Sequence, residues 1–378
     1  MIQNHYPLML NFYLGFWLLT FFVWGARSFR LLITLIKTPK IAPSSSPLHN
    51  GLVSVILPAK NEEKNIRACV EALKNQDYPS LQLLVINDNS TDQTELILRS
   101  MNISYINCPP APPGWTGKNH ALHCGVAYAK GDWFLFTDAD TRHAPQSVSA
   151  AVSYAEIYGL DFLSLLPHCI AESFLERAIQ PSAMAFLGLW FPLERVNDSK
   201  SPLYFANGQY LMIRRSLYEK LGGHQAVAGE FLEDFALMHL AKESGVKAAC
   251  GFGTRVYGTR MYDSFDSIWK GWRRIYLHAF RRKPAPLLLR AFDVFTFSVL
   301  PVFFYLLGLA AGFFHSSLLA GVSALILGFI LLISIGGYHT VRAKKEYALF
   351  HPFAALIVTL ILCDAARMAL TKEKTQWR

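Results

Sequence analysis

Four acidic segments follow one another along the chain: VSVILPAKNEE at 53–63, VINDNSTD at 85–92, FLFTDAD at 134–140 and FLED at 231–234. The second and third place carboxylates just after short runs of apolar, strand-forming residues. Open α/β sheets bind ligands outside the carboxyl ends of their strands. A carboxylate there can hold a nucleotide base or a metal-bound diphosphate. Asp88 ends one such run, where it can accept a hydrogen bond from a pyrimidine N–H. A helix-capping turn uses the same residue types. Asp138 and Asp140 alternate about Ala139. Two hard oxygen ligands suit Mg²⁺ or Mn²⁺ completed by donor phosphates, and a solvated acidic turn is the competing reading.

Two further groups carry chemistry. PPGWTGKNHAL at 112–122 sets Gly114 and Gly117 around Trp115, just before Lys118. Glycines allow close approach of backbone to a ligand, and a lysine opening a helix can meet a phosphate. A flexible turn with a surface lysine would look the same. Glu233 and Asp234 lie among Phe231, Leu232, Phe235 and Leu237. Apolar surroundings raise a carboxyl pKa and suit a base. Acidic residues opening a helix also simply favour its dipole.

The elements that must position these groups alternate in type. Strands are expected at 52–57, 81–87, 104–106 and 133–137, with helices at 63–75, after a Ser90 cap with Gln93 completing a capping box, and at 118–129. That alternation implies an α/β fold with a mostly parallel sheet covered by helices. AMAFLGLWFPL at 183–193 is too short to span a bilayer and reads as a core or interfacial helix. The stretch 267–283 interleaves Trp269, Trp272, Tyr276 and Phe280 with Lys270, Arg273, Arg274, Arg281 and Arg282, the pattern of an interface anchor.

The ends of the chain are apolar. Overall 52% of the 378 residues are hydrophobic, 17% are charged, and the mean hydropathy is +0.24. Leu8–Ala26 carries no charge over 19 residues, close to the ~20 a spanning helix needs. A cleaved signal peptide fits poorly, because no basic stretch precedes the run and Arg27 and Arg30 follow it. Arg27, Arg30, Lys37 and Lys40 after this segment place the following domain in the cytoplasm of a multi-pass cell-membrane protein. A Pro/Ser linker is expected at 41–51. Further spans are expected at 294–314 and 318–335, joined by a His-Ser-Ser turn, and a weaker one at 347–363. If that last segment crosses, Arg367, Lys372, Lys374 and Arg378 end up outside, against the charge rule. The expected division is an anchor at 1–40, a catalytic domain at 52–283 and membrane segments at 292–366. The net charge of +9 reads as juxtamembrane Lys and Arg facing the lipid bilayer, with no nucleic-acid motif. The six cysteines form no CxxC pair and read as buried thiols in a reducing compartment.

Taken in order, these motifs resemble the family 2 glycosyltransferases. VSVILPAKNEE is similar to the family's opening strand. VINDNSTD resembles its DDxSTD-type motif with Asn87 in place of the first Asp, and TDAD its DxD. NGQYLMIRR at 207–215 is similar to its acceptor-side segment, and Glu233–Asp234 to its catalytic pair. The resemblance covers about 52–280 and implies a nucleotide-diphospho-sugar transferase (GT-A type) domain flanked by transmembrane helices. The layout and the GWTGK segment resemble the subgroup that glycosylates membrane lipids, with its ceramide, carotenoid-acid and hopanoid-associated enzymes. The resemblance implies transfer of one sugar, with inversion, from a nucleotide-sugar donor, UDP-linked in type, to a membrane lipid acceptor. It also assigns roles. Asp88 would hold the uracil or ribose, with Ala59 and Glu62 around the base. Asp140, helped by Asp138, would hold Mg²⁺ or Mn²⁺, and Lys118 would lie near the diphosphate. Asp234 would be the base beside Glu233, with Asn207, Gly208, Trp272 and Arg273 on the acceptor side. One departure stands out: membrane relatives carry a (Q/R)xxRW motif, whereas here Trp272 precedes Arg273 and Arg274. That weakens a processive polysaccharide synthase as an alternative. A catalytically silent nucleotide-sugar-binding scaffold is the other.

Overall fold

The computed structural model describes residues 6–43, 51–310 and 317–373. Ten strands occur among them: β1 (Val53–Ala59), β2 (Leu81–Asn87), β3 (Tyr105–Asn107), β4 (Trp133–Thr137), β5 (Thr141–His143), β6 (Phe162–Leu166), β7 (His168–Cys169), β8 (Tyr210–Arg214), β9 (Ala248–Phe252) and β10 (Tyr257–Thr259). Seven form one sheet in the order β3-β2-β1-β4-β8-β6-β9. β3, β2, β1 and β4 run parallel, as do β6 and β9, while β8 is antiparallel to both its neighbours. The remaining three make a small sheet, β5-β10-β7.

The strand-forming runs sit where their composition directs them. Val53, Val55, Ile56 and Leu57 of β1 are fully buried, as is all of β4, because both faces of a central parallel strand are covered. β2 and β4 match the sequence expectation, whereas β3 is shifted to 105–107. The helices Ile66–Lys74, Thr94–Ser100 and Gly117–Val126 follow β1, β2 and β3 in turn. The expected Ser90 cap does not form. The second helix starts at Thr94, and its cap position, Gln93, makes no side-chain capping bond. Ser90 instead accepts the Asn61 N–H at 3.1 Å, and Asp92 Oδ1 accepts the Thr94 N–H at 2.9 Å. A cross-turn contact between the β1 and β2 tips has replaced a local cap.

The described residues form two compact units. One comprises Lys37–Ile170 and Phe191–Met261 and holds the sheet. The other contains the described residues up to Ile36, then Ala171–Trp190 and those from Tyr262 onward. The sequence division assigned 171–190 and 262–283 to the catalytic segment, whereas here they group with the apolar helices. The apolar run read at 183–193 is the latter part of a helix, Phe174–Trp190, that contains Pro181 and buries Ala183, Phe186, Leu187 and Trp190. The aromatic and basic stretch forms the helix Phe265–Ala279, opened by a Ser264–Ser267 capping box.

Among the described residues, four helical stretches are long and apolar enough to cross a membrane: Asn11–Lys37, Pro284–Ala310, Leu319–Thr340 and Lys345–Thr371. The stretch expected to be the weakest is therefore as long as the first. His315 and Ser316 of the His-Ser-Ser turn and most of the 41–51 linker lie outside the described residues, while Ser317 begins the helix Ser317–Thr340. At the start of the sheet unit, Phe252 N–H donates to Pro39 O at 2.8 Å and Ile41 N–H to Phe252 O at 2.9 Å, so the chain joins the β9 edge.

Gly131, just before β4, shows how closely the strands are laid. A Cβ there would lie 2.6 Å from Ser54 N, 2.7 Å from Leu52 O and 2.8 Å from Trp133 O, all backbone atoms of the central strands. Gly131→Ala is expected to destabilise the protein by about 1–3 kcal/mol, as overpacking does. Thermal unfolding in detergent reads this, and an unchanged midpoint would contradict it.

Candidate active site

The tips of β1 and β2 carry the first group. Ala59 ends β1, and its carbonyl accepts the Asp88 N–H at 2.9 Å. Asn61 and Asn89 adopt φ of 55° and 54°, a left-handed geometry that Asn tolerates better than most residues. These turns hold the Asp88 carboxylate. Lys60 Nζ stands 3.4 Å from its Oδ2, and Asn89 Nδ2 donates to its Oδ1 at 3.3 Å. Glu62 is fixed locally, its N–H donating to Thr94 Oγ1 at 2.8 Å and its carboxylate accepting Asn65 Nδ2 at 2.9 Å. Ala59, Glu62 and Asp88 thus share one end of the sheet.

The Asp138–Asp140 turn follows β4 and rests on a buried polar network. Thr137 Oγ1 donates to Gln209 O at 2.8 Å, and Thr141 Oγ1 donates to Asp138 O at 2.7 Å. His143 Nε2 lies 3.0 and 3.1 Å from these two hydroxyl oxygens, and its Nδ1 is 3.1 Å from Ser147 Oγ. Since both threonines donate to carbonyls, the network assigns the proton to Nε2, with Nδ1 accepting from Ser147. Burial pushes the His143 pKa down to about 3, so the ring stays neutral. It is a support for the acidic turn and not a proton carrier. The two carboxylates above it are hard oxygen donors at a strand tip, which fits Mg²⁺ or Mn²⁺.

Lys118 brings the separate motifs together. It lies in the first turn of the helix Gly117–Val126, whose Thr116 cap accepts the Asn119 N–H at 3.3 Å. Its Nζ is 2.9 Å from Asp138 Oδ1 and 2.8 Å from Glu233 Oε1. Asn119 Nδ2 reaches the carbonyls of Val227, Ala228 and Glu230 at 2.7, 3.1 and 2.9 Å, and Thr116 N–H donates to Ala228 O at 2.9 Å. The loop leading into FLED is therefore fastened to the GWTGKN segment.

Glu233 and Asp234 open the helix Glu233–Glu243. Asp234 Oδ2 accepts the Gly208 N–H at 2.6 Å and Oδ1 the Phe235 N–H at 2.9 Å. A Cβ at 208 would lie 3.0 Å from Glu233 Oε1, 3.2 Å from Lys118 Nζ and 3.3 Å from Asp234 Oδ2, so glycine leaves room for the charged cluster. Burial pushes the Asp234 pKa up to about 7. The neighbouring Glu233 charge adds to this, and Lys118 and the two N–H groups oppose it. For Lys118, burial alone would depress the ammonium, but Asp138, Glu233 and Asp234 outweigh it and hold the pKa above its ordinary value.

The structure thus assembles Lys118, Asp138, Gly208, Glu233 and Asp234 from four separate stretches. Asn207 has a different place. Its Nδ2 donates to Leu165 O at 3.0 Å and Tyr257 OH at 2.9 Å, fastening β6 and β10 behind Gly208. Trp272 and Arg273 belong to the other unit. Trp272 is buried with its ring 5.4 Å from Tyr276, and Arg273 Nη1 pairs with Asp364 Oδ2 at 2.9 Å beside the Trp269 indole N–H. Asn119, Thr137, His143 and Gln209 were not singled out in the sequence. Their nearness to Lys118, the acidic turn and Gly208 was the available signal. The cysteine reading needs correction as well. Cys108 and Cys124 form a disulfide and Cys363 is exposed, while Cys69, Cys169 and Cys250 are buried thiols. The pair is 16 residues apart and meets only because the helix after β3 folds back.

Residues 54–222 match the family model described as Glycosyl transferase family 2. The 4,4'-diaponeurosporenoate glycosyltransferase of Staphylococcus aureus (strain MRSA252) is 29% identical over 232 residues, and that of strain USA300 is 28% identical. Each match covers 60% of this chain and 60% of the curated relative's length. Among solved structures, the mannosyltransferase PcManGT from Pyrobaculum calidifontis, in complex with GDP-Man and Mn²⁺, aligns over 99% of this chain and 100% of that chain, with a TM-score of 0.51 and 19% identity. That likeness is one of fold alone and runs along nearly the whole chain. The matched stretch holds the Asp88, Asp138–Asp140 and Asn207–Gly208 motifs at one sheet edge, and it is this stretch that is similar to glycosyl transferase family 2.

Proposed function

We propose that the protein transfers a single sugar from a nucleotide-diphosphate donor, UDP-linked in type, to a hydroxyl or carboxyl of a membrane lipid, with inversion at the anomeric carbon. The observation that carries this reading is the Lys118 bridge from the DxD carboxylate Asp138 to Glu233, beside Asp234. It couples a donor-side group to an acceptor-side base. The lipid acceptor is supported by the four long apolar helices and by the staphylococcal relatives, which by name act on diaponeurosporenoate.

Asp88, with Ala59 and Glu62 nearby, would receive the nucleoside. Asp138 and Asp140 are the residues that would hold a divalent cation. Such an ion offsets charge on a departing diphosphate. Lys118 pairs with Asp138 and Glu233 and adds positive charge at the same place. Asp234 would take the acceptor's proton as the acceptor oxygen bonds to the anomeric carbon. The bond from that carbon to the diphosphate oxygen breaks on the opposite face, and the nucleoside diphosphate leaves with the electron pair. Back-side attack of this kind inverts the centre. The protein would be a multi-pass cell-membrane enzyme with its catalytic domain in the cytoplasm, where nucleotide-sugars are made.

Asp234→Asn should lower kcat about 10²–10⁴-fold, the usual worth of a general base, with donor affinity by calorimetry nearly unchanged. A base must be deprotonated, and the Asp234 pKa is raised to about 7. Wild-type kcat should therefore fall as pH drops below about 7, and chelating divalent ions should abolish transfer in the same assay. Normal turnover by the Asn variant would remove Asp234 from the mechanism.

Lys118→Met leaves Asp138 and Glu233 without their shared cation. Loss of one partner of a buried pair costs about 3–5 kcal/mol. Thermal unfolding in detergent reads this loss, and a midpoint equal to the wild type's would contradict it. For orientation, Lys200→Cys in a Cys363→Ala background should resist an impermeant thiol reagent in intact cells. Efficient labelling would place the domain outside.

A further inference from the structure

We propose that Cys108 and Cys124 form a site of reversible thiol–disulfide exchange that controls the donor end of the sheet, with a small-molecule disulfide as oxidant. The two sulfurs are bonded to each other here. Cys108 is buried directly after β3, and Cys124 is half-buried in the helix Gly117–Val126. His120, one turn before Cys124, lies against both, with Nδ1 3.3 Å from Cys108 Sγ and Nε2 3.8 Å from Cys124 Sγ. An imidazole beside a thiol favours the thiolate, which is the species that exchanges. The remaining cysteines form no such pair among the described residues.

The bond joins two structural supports of the site. Cys108 N–H donates to Asn87 O at 3.0 Å, and Cys108 O accepts Asn89 Nδ2 at 3.1 Å. The Cys108 backbone therefore braces the turn that presents Asp88. Cys124 lies about two turns along the helix Gly117–Val126, whose first turn carries Lys118. In the bonded state the Asp88 turn and the Lys118 helix are stapled together. Breaking the bond releases the β3 exit from the helix. This proposal rests on the reading of Asp88 and Lys118 as donor-side residues.

The chemistry balances. The more accessible Cys124 thiolate attacks one sulfur of a disulfide such as oxidised glutathione and expels one thiolate. Cys108, its proton passed to His120, then attacks Cys124 Sγ in the mixed disulfide and expels the second. Two electrons pass to the small disulfide, two small thiols result, and one protein S–S bond forms. Excess thiol reverses the sequence.

The full-length protein in detergent would be treated with oxidised glutathione or with dithiothreitol. Alkylation read by mass spectrometry should find two fewer reactive thiols after oxidation. Calorimetry with UDP and with GDP should show affinity at least about 5-fold weaker after reduction, the scale of a modest coupling. Cys124→Ser should bind equally under both treatments. Hydrogen exchange over 86–90 and 117–126 should be faster in the reduced wild type, a readout that needs neither nucleotide nor variant. If neither nucleotide binds yet the exchange difference persists, the donor reading fails and the redox staple stands. Identical exchange in the two states, or a pair that stays alkylatable after oxidant, overturns the proposal. So does one zinc retained per reduced chain and lost in Cys108→Ser, which would make the cluster a metal site.

Discussion

A lysine ammonium in a nearly dry setting is the constraint around which the sheet unit is arranged. Lys118 is 9% exposed, and an unpaired ammonium at that burial would be expelled or neutralised. It stays charged because Asp138 and Glu233 reach it at 2.9 and 2.8 Å with Asp234 close behind. One cation against three carboxylates leaves the cluster with an excess of negative charge. Burial first, and the adjoining Glu233 charge second, push the Asp234 pKa up to about 7. The same interaction explains the glycine at 208, since any side chain there would press on all three charged groups.

Sheet topology supplies the convergence. The parallel half, β3-β2-β1-β4, delivers its carboxyl ends to one edge, placing Asp88 and the Asp138–Asp140 turn near one another. β8 enters antiparallel, so its start, not its end, lies at that edge, and Asn207–Gly208–Gln209 lead directly into it. This is why a backbone N–H at 208 reaches Asp234 and the carbonyl of Gln209 reaches Thr137. Asn119 then fixes the 227–230 loop, so that Glu233 arrives at the lysine through three side-chain to backbone bonds on a neighbouring segment. The neutral His143 beneath the acidic turn completes the support without competing for protons.

The helical unit shows the same rule in apolar surroundings. Arg27, in the first long helix, pairs with Asp293 at 2.9 Å and lies over the Trp24 ring at 4.8 Å. Charged groups within apolar helices survive when paired within the bundle. Asp364 likewise accepts from Trp269, Arg273 and Arg367. The basic residues read as surface anchors are partly committed to holding helices together.

Much of the fold was legible because it depends on local pattern. The β2 and β4 segments, the βα alternation and the long apolar helices follow from period and composition, which act over a few residues. The acidic motifs declared their chemistry through residue type and their place at strand ends. Contacts between distant segments were not legible. Nothing near Asn119 announces that it clamps 227–230, nothing near Cys108 names Cys124 as its partner, and the apparent Ser90 cap lost to a bond from Asn61 across the turn. Likewise Arg273 and Trp272 fit an acceptor motif by order, yet their partners Asp364 and Tyr276 come from helix packing. Residue types and short runs establish which groups can carry charge, bind metal or lie in lipid, since those are properties of side chains and local pattern. Which carboxylates share one lysine, and how far the Asp234 pKa rises, depends on strand order and loop docking, because desolvation and Coulomb interaction act through the distances these set.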